Sequence, residues 1–276
     1  MDGTREEKVS ASAQSLLPAT ARGSRIFGCF GKTLSGDFFQ SLKFDLGIIE
    51  NSCIFTLPVV TWLMIMQRLS PAGTLQSALT ELLQGNGREL LEPCKQVREG
   101  RISGNTGAYS QARQRVPVEA TRRVAQRTFE YLHQITPCSG ALRDRLFLLD
   151  GSSIRLAHAG AITRVYPPAE NQHGKSHWPV LRIVVMHHVV TGLAMAPQFG
   201  PMYGPAAVSE QGLAEALIER LPPASILIGD RNFGVFSVAW CAHSQGHEMV
   251  VRLTAPRARA LAAGSDLKVR LKKCPK

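Results

Sequence analysis

Leu146-Phe147-Leu148-Leu149-Asp150 and Ile226-Leu227-Ile228-Gly229-Asp230 are two short apolar runs that each end on an aspartate. Apolar runs of this length read as buried strands. Working outward, Val180 to Val190 is a long β-type run, and a further strand covers Leu193 to Phe199. Thr191-Gly192 between them suits a hairpin turn. Ser209 is placed to cap a helix carrying Leu213, Leu217 and Leu221 at i, i+4 spacing, and Pro222-Pro223 ends that helix. Phe236 to Ser244 reads as a second helix and Met249 to Leu253 as a last strand. The predicted order is β-β-β-α-β-α-β, a meander followed by alternating units. It implies an α/β fold with a mixed sheet.

Upstream the period changes from that of strands to that of helices. Phe38 to Leu46 is a short helical stretch. Pro58 suits a first helical turn, and Val59, Trp62, Leu63, Met66 and Leu69 follow at helical spacing. Ser70-Pro71 breaks that helix. Leu75, Leu79, Leu82 and Leu83 mark the next, which Gly85-Asn86-Gly87 stops. Arg88 to Cys94 and Gly107 to Gln114 read as short helices. Val118 to Ile135 reads as a longer one ending at Pro137. Residues 36–140 are therefore predicted to be all-helical. Residues 1–35, rich in Ser, Ala, Gly, Thr and Arg without a sustained period, are predicted to be a mobile arm.

A chain of 276 residues is long enough to bury a sizeable core without disulfide staples. Lys and Arg number 32 and Asp and Glu 21, and 32 − 21 leaves a net charge of +11. Such an excess favours a polyanionic partner, nucleic acid or an acidic membrane surface. The six cysteines are scattered with no C-x-x-C pair, which argues against a disulfide framework or a zinc ribbon and fits a reducing cytoplasm. Met1 to Arg25 has no apolar core and is no signal peptide. The longest apolar run, Cys53 to Met66, is too short to span a bilayer and is expected as a buried helix.

Asp150 and Asp230 carry the chemistry in this reading. Each follows directly on a strand, and the carboxyl edge of an α/β sheet is where ligands and metals collect. Two carboxylates on neighbouring strands can share Mg²⁺, which takes oxygen ligands and keeps several waters. Two such ions clamp the attacking and leaving oxygens of a phosphoryl displacement. Either aspartate alone reads equally as the start of a turn. From Arg88 to Arg127 there are nine basic and four acidic residues, and from Arg252 to Lys276 eight basic residues and Asp266. Such side chains neutralise phosphates without reading sequence. The histidines make a poor zinc set: His173 and His177 are separated by a Gly-containing loop, and adjacent His187 and His188 point to opposite faces of a strand. Gly151-Ser152-Ser153 fits neither a nucleophile elbow nor a Walker loop.

Five stretches carry a family resemblance: Ile54 to Trp62, Asn105 to Arg115, Leu149 to Ser153, Gly229 to Gly234 and Val251 to Leu253. The more specific parts are Tyr109-Ser110-Gln111-Ala112-Arg113 and Asp230-Arg231-Asn232-Phe233-Gly234. Over roughly residues 36–276 the chain resembles insertion-sequence transposases of the DDE class, family four, whose catalytic core is RNase H-like. The resemblance implies that Asp150 and Asp230 are the first two of three metal-binding catalytic carboxylates holding two Mg²⁺ ions. It implies a double-stranded DNA partner, the repeats at the transposon ends. Tyr109, Arg113, Arg115, Lys175, Arg231 and Arg252 are the expected DNA-binding residues. Tyr109 reads equally as a core ring beneath a solvated basic face. A homodimer or a full-length transposase is the expected protein partner, no membrane is expected, and the expected location is the bacterial cytoplasm at the nucleoid.

The chain departs from the family at the third carboxylate, a Glu on a helix well beyond the last strand. Only 276 − 230 = 46 residues follow Asp230, and Glu248 is the one Glu among them, just before a strand. Glu210 is a solvated first-turn residue in this reading and is not assigned. The chain is accordingly expected to be a C-terminally truncated transposase with an incomplete catalytic domain over 141–276, binding Mg²⁺ weakly and neither cleaving nor joining DNA alone. The alternatives are a non-catalytic DNA-binding remnant that occupies transposon ends or inhibits the full-length enzyme, and a two-metal nuclease outside transposition.

Overall fold

The computed structural model describes residues 19–50, 54–91, 94–99, 101–136, 138, 140–172 and 174–263. The chain divides into two compact units, residues 1–128 and 129–276.

The first unit is helical: α1 (Ala19–Thr33), α2 (Gly36–Asp45), α3 (Leu57–Leu69), α4 (Leu75–Leu83), a 3-10 turn (Arg88–Leu91), α5 (Lys95–Arg98), α6 (Gly107–Arg115) and the start of α7 (Val118–Ile135). Local chemistry sets the helix ends. Ser35 Oγ accepts from the Phe38 N–H at 3.2 Å. Thr74 and Ser77 form a reciprocal capping box that satisfies two otherwise orphaned donors. Trp62 is wholly buried at the centre of a core that includes Phe39, Leu42, Leu63, Leu79, Leu82 and Tyr109. Its indole donates to the Asn86 carbonyl at 2.9 Å. The loop after α4 is thereby tied to the core.

The arm expected over residues 1–35 is helical from Ala19 to Thr33. Phe30 and the following Leu34 are buried, with Ile26 and Phe27 packed against the same core. An apolar stripe at 26, 30 and 34 overrides the loop-like composition around it. Residues 1–18 lie outside the described residues. The one-turn α5 was not expected either; it is too short to show a period.

The second unit, residues 129–276, holds a six-stranded mixed sheet. Phe129 sits in the second core and meets Phe147 edge-on. The central strand is β1 (Leu146–Arg155). After it come α8 (Gly160–Val165), β2 (Pro168–Asn171), β3 (Gly174–His188), β4 (Gln198–Pro201), α9 (Glu210–Ile218), β5 (Ile226–Gly229), α10 (Phe236–Ser244), β6 (Glu248–Val251) and α11 (Ala255–Ala262). β3 runs antiparallel to β1 from Phe147↔His188 to Arg155↔Val180. On the other side β5 runs parallel, from Leu146↔Ile226 to Leu149↔Gly229, and β6 runs parallel to β5. β4 and β2 both line the outer edge of β3.

The mixed α/β architecture expected from the period change is thus present. The predicted hairpin is there as well: Gly192 has φ +70°, and its N–H reaches the His188 carbonyl at 2.8 Å. The insertion of α8 and β2 was not predicted, because β2 is four residues of Pro-Ala-Glu-Asn with no apolar run. Leu213, Ala214 and Leu217 of α9 join Phe147, Leu149, Val184, Met186 and Leu227 in the core. No helix among the described residues is long and apolar enough to cross a membrane.

Candidate metal and nucleic-acid site

β1 is longer than its apolar run suggests. Asp150 lies inside it, opposite Val185 of β3, rather than at a strand end. The parallel partner β5, however, stops at Gly229, which faces Leu149. Asp150 and Asp230 are each one residue past that pair, on neighbouring strands whose axes lie about 4.8 Å apart. Both are exposed. Alternation buries Phe147 and Leu149 and turns Asp150 to the other face. Asp230 opens an Asx turn: its Oδ1 accepts from the Asn232 N–H at 2.9 Å. That bond fixes the carboxylate at the start of the loop leading to α10.

A third carboxylate lies against the next residue of β1, on the face opposite the Asp150 side chain. Glu210 is the first residue of α9, whose N-cap Ser209 accepts from the Gly212 N–H at 3.0 Å. A Cβ on Gly151 would stand 2.9 Å from Glu210 Cδ and 3.1 Å from its Oε2, so the carboxylate lies directly over the residue after Asp150. The Asn232 side-chain amide donates to Glu210 Oε2, and Gln211 Nε2 donates to the Asn232 carbonyl at 3.0 Å. Asn232 therefore links the turn of Asp230 to the carboxylate above Gly151. Composition and period could not find this, because Glu210 lies 60 residues from Asp150 in the chain (210 − 150 = 60). Only β3 and β4 folding back bring Glu210 against β1. Glu248 is elsewhere: it pairs with Ile226 at the opposite end of β5 from Gly229, and its carboxylate meets Arg145 at 2.6 Å.

The basic candidates separate into two groups. Arg113 and Arg115 are exposed on the last turn of α6, and Arg113 Nη1 donates to Gln67 Oε1 at 3.0 Å. Tyr109, one turn earlier, is fully buried, with its ring stacked on Phe55 at 6.0 Å. A ring without exposed surface cannot stack on a base, so of the two readings of Tyr109 the packing one holds. Burial pushes its phenol above the ordinary value, and the Arg113 guanidinium opposes that rise. In the second unit Lys175 is exposed on β3 opposite Glu170 of β2. Arg231 and Arg252 are also exposed. The Arg257 guanidinium of α11 holds the loop after Asp230 by donating to the Gly234 carbonyl at 3.0 Å.

The histidine expectations divide likewise. His173 lies outside the described residues. His177 stacks on His158 with ring centroids 4.5 Å apart. His187 is half-buried and His188 fully buried, on opposite faces of β3.

No family model matches the chain. It is similar to the transposase InsG for insertion sequence element IS4 of Escherichia coli (strain K12), with 26% identity over 180 residues. That match takes in 64% of this chain and 37% of the relative, so the chain spans well under half of the protein it resembles. The likeness supports a transposase family for this chain.

Proposed function

We propose that the chain acts in DNA transposition, as part of an insertion-sequence transposase with an RNase H-like core, and that Asp150 and Asp230 hold its divalent metal. The observation that carries this reading is the Leu149↔Gly229 pairing, one residue before each aspartate, where the parallel strand stops. The sheet order β4-β3-β1-β5-β6, with β3 antiparallel and β5 and β6 parallel to β1, supports the core assignment. An exposed, all-oxygen pair suits Mg²⁺, which keeps waters in its remaining positions. Bound there, the ion would lower the cost of charge developing on phosphate oxygens. The protein's own part is positioning: Asn232 orients the Asp230 turn, and Arg113, Arg115, Lys175, Arg231 and Arg252 face solvent to neutralise DNA phosphates. The ligand is double-stranded DNA of the transposon ends, met at the bacterial nucleoid, and a second copy or a full-length transposase is the protein partner.

The family's third carboxylate has no counterpart after β6 among the described residues, since α11 carries no acidic side chain and Glu248 is at the far end of its strand. On this reading the chain binds DNA ends without cutting them on its own, and would occupy ends against a complete enzyme. The Asn232 bridge from Glu210 to the Asp230 turn favours a second reading, in which Glu210 completes the set and the chain cleaves. Incubating the chain with labelled transposon-end duplex and Mg²⁺ decides between them. A shifted band without strand breaks is expected. Breaks that disappear in Asp230→Ala overturn the non-cleaving reading, and their loss in Glu210→Ala as well identifies the third carboxylate. Absence of both shift and breaks removes the transposition assignment.

A further inference from the structure

His133, Asp144 and His188 each offer a ligand atom, and these atoms all lie within 4.8 Å of one another. Three separate elements of the second unit supply them: the last turn of α7, the 3-10 turn Arg143–Arg145 and the end of β3. The cluster faces Phe147, three residues before Asp150 on β1, which is about 10 Å along a strand from the aspartate pair.

The surroundings are those of a metal site. His188 is fully buried, and its Nδ1 lies 2.8 Å from Thr191 Oγ1 in the hairpin turn. The Thr191 N–H also donates to Nδ1 at 3.3 Å, so without metal the proton sits on Nε2 and is donated to the Asp144 backbone carbonyl at 3.2 Å. These contacts orient the ring with Nε2 on the side of Asp144. The His133 ring stacks on Phe129 at 5.4 Å with 9° between planes, and lies 5.0 Å from the His188 ring. Phe147 stands edge-on to both histidines. Two imidazoles are thus walled by aromatic rings, while the exposed Asp144 carboxylate leaves a path for an ion and for water.

We propose that His133, Asp144 and His188 bind one divalent transition-metal ion of the zinc class. Two imidazoles and one carboxylate suit such an ion and not Mg²⁺, which prefers oxygen. On binding, the His188 proton moves from Nε2 to Nδ1, where it is donated to Thr191 Oγ1 in place of the bond from the Thr191 N–H, and the freed Nε2 lone pair exchanges the Asp144 carbonyl for the metal. The ion would clamp the C-terminus of α7 to the sheet.

The test is a titration of the untagged full chain with Zn²⁺, followed by calorimetry and by thermal unfolding. One equivalent is expected to bind and to raise the unfolding midpoint, and Mg²⁺ in large excess is expected not to compete. Asp144→Asn, at an exposed position, and His133→Asn should each weaken zinc by about tenfold or more while the apo chains keep the wild-type circular dichroism. Co²⁺ should give the visible bands of a low-symmetry site, lost in both variants. The stacked pair His158 and His177 is the rival, so His177→Asn should leave the titration unchanged. Unaltered zinc binding in both Asp144→Asn and His133→Asn, no binding at all, or loss in His177→Asn alone would overturn the proposal.

Discussion

Two glycines of the helical unit show how single residues fix the loop geometry. Gly87 has φ +86°, and a Cβ there would stand 2.8 Å from Trp62 Cδ1. The indole cannot retreat, because it is wholly buried and bonded to Asn86. Gly47 has φ +59° but open space around it. Gly87→Ala is therefore expected to destabilise by about 2–4 kcal/mol, through strain and overpacking together. Gly47→Ala is expected to cost only about 1 kcal/mol, for the left-handed backbone alone. Urea unfolding of the two variants checks the difference, and equal losses would contradict it. At this scale the sequence was partly readable. Gly85-Asn86-Gly87 announced a helix stop, and Asp230-Arg231-Asn232 a turn. That Asn232 reaches Glu210, and that Tyr109 turns inward rather than toward solvent, depends on which neighbours arrive from elsewhere in the chain.

At the level of elements, the start of β5 is set by a histidine. Ser225 donates its N–H to His247 Nδ1 at 3.2 Å, joining the residues that precede β5 and β6. His247 is buried, and burial holds its imidazole below the ordinary 6.5, with the Ile218 backbone opposing. The folded state thus binds the proton less readily than the unfolded state. Stability is full above about pH 6.5 and falls as pH drops below it, because the unfolded chain gains protons that the folded chain resists. The thermal midpoint should fall between pH 7 and pH 5, and His247→Gln should flatten that slope. An unchanged slope would show that the depressed histidine does not govern it. Long periodic helices and apolar strands were the legible elements: Val118–Ile135 was bounded correctly from period alone. The extension of β1 to Arg155 was not legible. Its second half, Asp150 to Arg155, carries exposed or half-exposed residues and is held as strand by pairing with β3, a cross-strand fact that no local window contains.

For the whole molecule, charge and site point the same way. A net charge of +11 on a chain whose exposed arginines include Arg113, Arg115, Arg231 and Arg252 suits a polyanion. DNA affinity should therefore fall steeply with salt, and Arg113→Ala should reduce the slope of log K against log salt by about 1. Tyr109→Phe, beneath the surface, should leave that slope unchanged. The central proposal is narrower: that Asp150 and Asp230, each one residue past the Leu149↔Gly229 pair, form a divalent-metal site at the DNA. Paramagnetic broadening by Mn²⁺ in the chain bound to duplex DNA tests it most directly. Amide signals of Gly151 and Asn232 should broaden first, and Asp230→Asn should abolish the effect. Broadening that persists in Asp230→Asn, or that spares both amides, would contradict the account.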